Sequence, residues 1–131
     1  MTDATTIAIL GGTGDLGTGL ARRWAQAGHR VIIGSRTLEK ARAAVDDLQQ
    51  VMAARGVKAI TVEPMANAQA ADAASVVVIT VPWAHHGSTL ESVRDALQGK
   101  ILVDATVPLM PPKVGTVQLP EEDSAARTAQ T

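Results

Sequence analysis

The sequence contains no cysteine, phenylalanine or tyrosine, and acidic and basic residues are nearly balanced. Without cysteine the chain cannot form a disulfide, a thiolate nucleophile or a zinc–cysteine site. The net charge of −1 gives no positive surface for nucleic acid. The longest apolar run, residues 76–81, is too short to cross a bilayer, and residues 1–6 lack the basic start of a signal peptide. We therefore expect a cytoplasmic protein with neither a nucleic-acid nor a membrane partner.

What the chain does contain is a regular alternation of short apolar runs and helical patterns. The runs are residues 7–10, 31–33, 59–62, 76–81 and 101–103, and they are continuously apolar, as in strands buried on both faces. Between them lie helical stripes, and residues 88–91 read as a capping box that starts a helix carrying Leu90, Val93 and Leu97. This order predicts an α/β fold, a doubly wound parallel sheet of about five strands with helices on both faces.

A glycine loop lies between the first predicted strand and the first predicted helix. Its pattern is G-x-G-x-x-G: Gly12 permits a tight turn, Gly14 lets the backbone approach a pyrophosphate, and Gly17 brings the helix close to the strand. The unpaired N–H groups of the helix start favour an anion there. In this context the loop predicts a Rossmann-like dinucleotide site rather than a structural turn. Its binding residues are Gly12, Thr13, Gly14, Asp15, Leu16 and Gly17.

The end of the second strand indicates which dinucleotide is bound. Sites for NAD usually carry Asp or Glu there, whereas this sequence has Ser35 and Arg36. A cation and a small residue suit the 2′-phosphate of NADP(H). If Thr37 caps the next helix, Lys40 lies in its first turn, where a bound phosphate would offset the unfavourable interaction with the helix dipole. Lys40 reads equally well as a solvated surface charge.

The ends of the fourth and fifth strands should border the nicotinamide, because ligands lie outside the carboxyl ends of the strands in such sheets. Val81 and Pro82 are expected to bind the cofactor, and the residues expected to border its ring are Pro82, Trp83, Val107 and Pro108. A tryptophan at a strand end is at least as often ordinary packing, so that interpretation of Trp83 stays open. His85 and His86 are interpreted either as a general acid or substrate-orienting pair, or equally well as exposed residues before a helix. Hydride transfer needs no general acid or base from the protein, so no catalytic residue is assigned, and no metal site is expected.

Several segments together resemble one family, the NADPH-dependent reductases of coenzyme F420, or F420:NADP oxidoreductases. The segments are IAILGGTGDLG at residues 7–17, AQAGH at 25–29, VIIGSR at 31–36 with EKA at 39–41, and TVPW at 80–83. The resemblance runs from about residue 7 to residue 108. It implies hydride transfer between NADP(H) and the deazaflavin coenzyme F420 as co-substrate. It also implies that Thr13, Ser35, Arg36 and Lys40 hold the phosphates.

The chain departs from that family after residue 108. Residues 1–108 are predicted to form the NADP-binding domain, and the proline-interrupted residues 109–131 a loop-rich tail, with a further helix possible from Ser124. Family members continue for most of another hundred residues, which cover the deazaflavin and make a dimer, so a homodimer is possible here. The alternatives are a related NADP-dependent reductase of a small carbonyl or imine, and a non-catalytic NADP-sensing module.

Overall fold

A computed structural model describes residues 5–57, 60–106, 109–110, 113–117 and 124–130 of the chain. The strands are β1 (Thr6–Leu10), β2 (Arg30–Ser35), β3 (Val62–Ala66), β4 (Val76–Ile79), β5 (Ile101–Asp104), β6 (Leu109–Met110) and β7 (Lys113–Val117). The α-helices are α1 (Asp15–Gln26), α2 (Leu38–Ala54), α3 (Asn67–Ala73), α4 (His86–Ser92) and α5 (Ala125–Gln130). Two short 3₁₀ turns cover Trp83–His85 and Asp95–Leu97.

The first five strands form one parallel sheet in the order β3-β2-β1-β4-β5. The chain therefore winds outward from β1 to one edge, returns, and winds outward from β4 to the other edge. The carboxyl ends of β1 and β4 lie side by side where this order reverses, which is where such sheets form a ligand crevice. The predicted fold, a doubly wound sheet of five strands, is confirmed.

Hydrophobic cores lie on both faces of the sheet. Ile7 and Ile9 of β1 pack in a cluster with buried residues of α1 and α2, whereas Ala8 and Leu10 pack in a second cluster with alanines of α3. Successive side chains of a strand point to opposite faces, so the four buried positions of β1, residues 7–10, are all apolar. This explains why the central strands read as unbroken apolar runs. Within the described residues, no helix is long and apolar enough to cross a membrane.

The third strand begins later than the sequence predicts. It was expected at residues 59–62, but β3 runs from Val62 to Ala66 and contains Pro64. Proline has no N–H to donate, and it is tolerated here because β3 is an edge strand of the five-stranded sheet. Thr61 still accepts a hydrogen bond from the backbone N–H of Val31, at 2.9 Å, just before the strand starts.

Arg30 and Glu63 form an ion pair between β2 and β3, near the end of the sheet opposite the crevice. Arg30 Nε lies 2.8 Å from Glu63 Oε1, and a second guanidinium nitrogen lies 3.0 Å from Oε2. The hydrogen bond from Arg30 lowers the pKa of the Glu63 carboxyl below its usual range. Both side chains are about two-fifths exposed, so water screens the attraction.

The helix after β4 also departs from its prediction. It starts at His86 rather than with Ser88 as its cap, and it ends at Ser92 before a separate 3₁₀ turn at Asp95–Leu97. The predicted capping box is therefore wrong. Ser88 lies inside the helix, and its hydroxyl donates to the carbonyl of His85, 3.2 Å away, which is a bond that serine readily makes within a helix.

The C-terminal residues contain more regular structure than the expected loop. The strands β6 and β7 pair antiparallel, with two prolines between them in the sequence, and α5 confirms the helix expected from Ser124 onward. The loop prediction is wrong for β6 and β7. β6 has only two residues, and β7 does not alternate apolar with polar residues, so their pairing depends on contacts that a sequence pattern does not reveal.

Candidate cofactor site

The glycine loop joins β1 to α1, and a backbone hydrogen bond holds it to β2. Gly12 donates its N–H to the carbonyl of Gly34 on β2, at 3.1 Å. Within this loop, Gly11 has a positive φ of 68°. The tight turn that was expected to need a glycine at position 12 therefore needs one at Gly11 instead. A side chain on Gly11 would also meet Val81, because an added Cβ would overlap the Cγ1 atom of that residue.

Close packing explains the glycines on either side of the helix start. A Cβ on Gly17 would lie 2.6 Å from the Cα atom of Gly12, so this glycine allows α1 to approach the loop, as predicted. Gly12 is restricted in the same way, since its Cβ would lie 2.8 Å from the carbonyl oxygen of Ile9. Gly14 differs from both. A Cβ there would meet nothing within 4 Å, which leaves open space over the loop.

A hydroxyl and two cationic side chains lie between the end of β2 and the first turn of α2. Ser35 is buried, whereas Arg36 and Lys40 are exposed. Thr37 caps α2 as predicted, because its hydroxyl oxygen accepts from the backbone N–H of Lys40 at 3.4 Å. The first turn of α2 therefore holds Lys40 beside the same cleft that Ser35 and Arg36 line.

The ends of β4 and β5 form the opposite wall of the cleft. The Thr80 hydroxyl donates to the carbonyl oxygens of Leu10 and Gly11, at 3.1 and 3.3 Å, which fixes this wall to the glycine loop. After β5, the Thr106 hydroxyl lies 3.5 Å from the carbonyl oxygen of Val81. These bonds hold the turn that starts at Val81 against both neighbouring strands.

These elements enclose a cleft of about 450 Å³ at the crossover of the sheet. Most of the predicted binding residues line it: Thr13, Gly14, Asp15, Leu16, Ser35, Arg36, Lys40, Val81, Pro82, Trp83 and His85. Gly12 and Gly17 are buried and do not line it. Val107 and Pro108 lie outside the described residues. In the part of the chain that the structure describes, no cluster of metal-ligating side chains occurs.

Sequence reasoning missed several residues that line the cleft: Gly11, Asn67, Thr80, Thr89, Ala105 and Thr106. Three of them follow β4 and β5 directly, so their place at the strand ends was a usable signal. Asn67, the first residue of α3, is 7% exposed, and its Oδ1 has no hydrogen-bond partner among the described residues. A buried amide oxygen without a partner is costly, and at a cleft it is an acceptor available to a ligand.

The two adjacent histidines have different surroundings. His85 is exposed and lines the cleft, whereas His86 is buried, with its Nε2 2.7 Å from Asp104 Oδ2. The interpretation of His86 as an exposed residue is therefore wrong. It begins α4, which packs this side chain inward toward the end of β5. Asp104 is the last residue of β5, and its carboxylate binds a residue 18 positions earlier.

Comparison with known proteins identifies relatives that share this part of the chain. F420-dependent NADP reductases of Methanothermobacter marburgensis and Methanothermobacter thermautotrophicus are 48% and 50% identical over 103 residues. The match covers 79% of this chain but 45% and 43% of theirs. A crystal structure from Arthrobacter sp. FB24, provisionally named an F420-dependent NADP reductase, has a TM-score of 0.76 and 30% identity, covering 97% of this chain and 57% of that one.

The chain thus spans a little under half the length of the curated relatives it matches. The matched part contains the glycine loop, the Ser35 and Arg36 pair and the turn after β4, which are the elements that surround the cleft. The family described as NADP oxidoreductase, coenzyme F420-dependent, matches residues 6–108, and the chain belongs to that family.

Proposed function

We propose that the cleft binds NADP(H), with the pyrophosphate over the glycine loop and the nicotinamide toward Pro82 and Trp83. The observation that carries this proposal is that one cleft joins an open glycine loop, a pair of cations and an apolar wall. We also propose that residues 1–108 are the cofactor-binding domain and that residues 109–131 are a C-terminal tail outside it. The family match, which ends at residue 108, supports this boundary.

The cations favour the 2′-phosphate of NADP(H) over the free hydroxyl of NAD(H). Arg36 offers a planar guanidinium that can donate two parallel hydrogen bonds to a phosphate. Lys40 adds a second charge, and Ser35 provides a hydroxyl at the end of β2. Within the described lining residues, Asp15 is the one carboxylate, and it lies at the start of α1 rather than at the end of β2. No carboxylate among the described lining residues therefore lies at the end of β2, and Glu39 in the first turn of α2 does not line the cleft.

The loop side of the cleft suits a pyrophosphate. Gly14 caps α1 without a side-chain hydrogen bond, so the first N–H groups of the helix remain available to an anion. The absence of a side chain on Gly14 lets the phosphate oxygens approach the backbone. The Oδ1 of Asn67, which has no partner among the described residues, also borders the cleft and is an acceptor for a ribose hydroxyl or an amine.

The proposed reaction is hydride exchange between NADP(H) and the deazaflavin coenzyme F420, as the names of the relatives indicate. When bound, the nicotinamide supplies or accepts the hydride. Pro82 and Trp83 would support a flat ring and exclude water from one side of it. We propose that Val107 and Pro108 extend this wall. The hydride passes directly between the two rings, and the proton that accompanies reduction of the deazaflavin can come from water, so His85 is at most an orienting residue.

The test uses absorbance. Adding NADPH to the chain and coenzyme F420 should bleach the visible band of the deazaflavin, with the rate followed by stopped flow. Since much of the rate depends on close contact between the two carbons, and the relatives are about twice as long, the 131-residue chain should react more slowly than a full-length relative. The reaction is contradicted if NADPH binds but no bleaching occurs, even when this domain replaces the first domain of a full-length relative. A carbonyl reductase or a sensing module would then remain as the candidate functions.

We propose in addition that the protein works as a homodimer in the cytoplasm. NADPH is a metabolite of that compartment. The edge strand β5 leaves Ile101 and Val103 exposed, at 65% and 45%, which is an apolar strip that a second copy would cover. Light scattering at increasing protein concentration tests this. A monomeric mass throughout would contradict it.

A further inference from the structure

A buried hydrogen-bonded pair lies behind the wall of the cleft. His86 Nε2 is 2.7 Å from Asp104 Oδ2, and the two side chains are 1% and 4% exposed. The other carboxylate oxygen, Oδ1, accepts from the backbone N–H of Thr106 at 2.9 Å. One carboxylate therefore joins the start of α4 to the turn after β5, and neither His86 nor Asp104 lines the cleft itself.

Both groups held by this carboxylate lead directly to the cleft. The ring of His86 lies against Trp83, with a centroid distance of 4.8 Å and an interplanar angle of 33°. Trp83 and Thr106 both line the cleft, one on the turn after β4 and one on the turn after β5. The orientation of Trp83 thus depends on the His86 ring, which is held in turn by Asp104, 18 positions later in the chain.

An apolar pair in place of His86 and Asp104 would fill this space without leaving a buried hydrogen-bonding group unsatisfied. The carboxylate accepts the hydrogen on Nε2, and the remaining ring nitrogen, Nδ1, is buried with no partner among the described residues. Buried polar groups with an unmet hydrogen bond reduce stability, and well-packed apolar residues are often a more stable solution. What the polar pair provides in return is a directional bond that allows one arrangement of the two turns.

We propose that His86 and Asp104 are positioning residues that set the orientation of Trp83 and Thr106, and so control affinity for the nicotinamide half of the cofactor alone. This role rests on the proposed function, because it takes the nicotinamide to lie beside Trp83. The adenine half would bind at Ser35, Arg36 and Lys40, on the other side of the cleft. The pair should not affect that half.

The test compares NADPH with 2′-phospho-ADP-ribose, which lacks the nicotinamide, by calorimetric titration. Asp104→Leu removes both hydrogen bonds at similar volume and should weaken NADPH about tenfold while changing the fragment by less than about twofold. Asp104→Asn keeps an acceptor for Thr106 and a hydrogen bond to His86, so it should restore most of the NADPH affinity. Asp46→Leu, on the exposed side of α2, is the matched control and should change neither affinity.

A second variant keeps the test decisive if Asp104→Leu does not fold. His86→Gln can still reach Asp104 but removes the ring from Trp83, so it should also weaken NADPH selectively. In a Trp24→Phe background, the remaining emission comes from Trp83. Its maximum should shift in His86→Gln and stay unchanged in Asp46→Leu. A merely structural role would leave the ratio of the two affinities unchanged.

The outcomes separate the two proposals. If the variants lose affinity for NADPH and for the fragment equally, or lose affinity for neither, the positioning role is overturned while the proposed function stands. A wild-type chain that binds the fragment as tightly as NADPH also overturns it, because the nicotinamide then contributes nothing at Trp83. A wild-type chain that binds neither ligand contradicts the proposed function itself, and the positioning role with it.

Discussion

Three glycines of the loop and first helix should separate stability from cofactor binding. In Gly17→Ala the new Cβ would lie 2.6 Å from the Cα atom of Gly12 and 2.9 Å from its carbonyl carbon and oxygen. Ordinary contact starts at 3.4 Å, and these atoms are backbone, so the loop or the helix must move. Overpacking of this kind costs about 1–3 kcal/mol. We expect a loss in that range, together with weaker NADPH binding, because the displaced segment is the loop itself.

Gly14→Ala should have the opposite profile. Its φ of −82° is open to any residue, and the added Cβ meets nothing within 4 Å. Replacing glycine by alanine at a helix N-cap costs less than about 1 kcal/mol. The methyl group would stand in the space proposed for the pyrophosphate, so we expect binding of both NADPH and NADH to weaken by about tenfold or more.

Gly19→Ala is the matched control on the same helix. Its Cβ would meet one atom, Nη1 of Arg23, at an ordinary 3.5 Å, and the position lies inside α1 but outside the cleft. Alanine is favoured over glycine inside a helix by about 0.5–1 kcal/mol. This variant should therefore be slightly more stable than the wild type, with unchanged NADPH affinity.

Urea unfolding and calorimetric titration measure the two quantities independently. The reasoning requires that Gly17→Ala loses stability, that Gly14→Ala loses mainly affinity, and that Gly19→Ala loses neither. If Gly14→Ala binds NADPH as tightly as the wild type, the pyrophosphate does not lie over this loop. If Gly17→Ala is as stable as Gly19→Ala, the close approach of α1 to Gly12 does not restrict residue 17.

Three further predictions concern single contacts. Arg36→Ala should weaken NADPH about 10- to 100-fold and leave NADH unchanged in titrations, since a charge-assisted bond contributes about 1.5–3 kcal/mol; an equal loss for both would disprove 2′-phosphate recognition. Asn67→Ala should weaken both dinucleotides without lowering the urea midpoint, because it removes a buried oxygen that has no partner within the described part of the chain. Arg30→Met should lower stability at neutral pH. That difference should disappear as the pH falls through the lowered pKa of Glu63, and a constant difference would argue against the ion pair.

The sequence by itself determined the alternation of the five sheet strands with helices and the place of the glycine loop. The buried positions of a strand that is covered on both faces must be apolar. Residues 7–10 and 31–33 can therefore be predicted as strands without knowing which strands pair with them. The loop is readable because its requirements are local: Gly17 must lack a side chain wherever a helix starts so close to a strand. Arg36 and Lys40 follow by position, one after β2 and one in the first turn of α2.

Tertiary structure decided the features that depend on residues far apart in the chain. The edge position of β3 made Pro64 acceptable within the strand, and the approach of Val81 required Gly11 to lack a side chain. The bond between His86 and Asp104 required β4 and β5 to be neighbours in register. Sequence patterns record which face of an element is apolar. They do not record which polar side chains meet once the elements pack, because that depends on register and helix start to within a single residue.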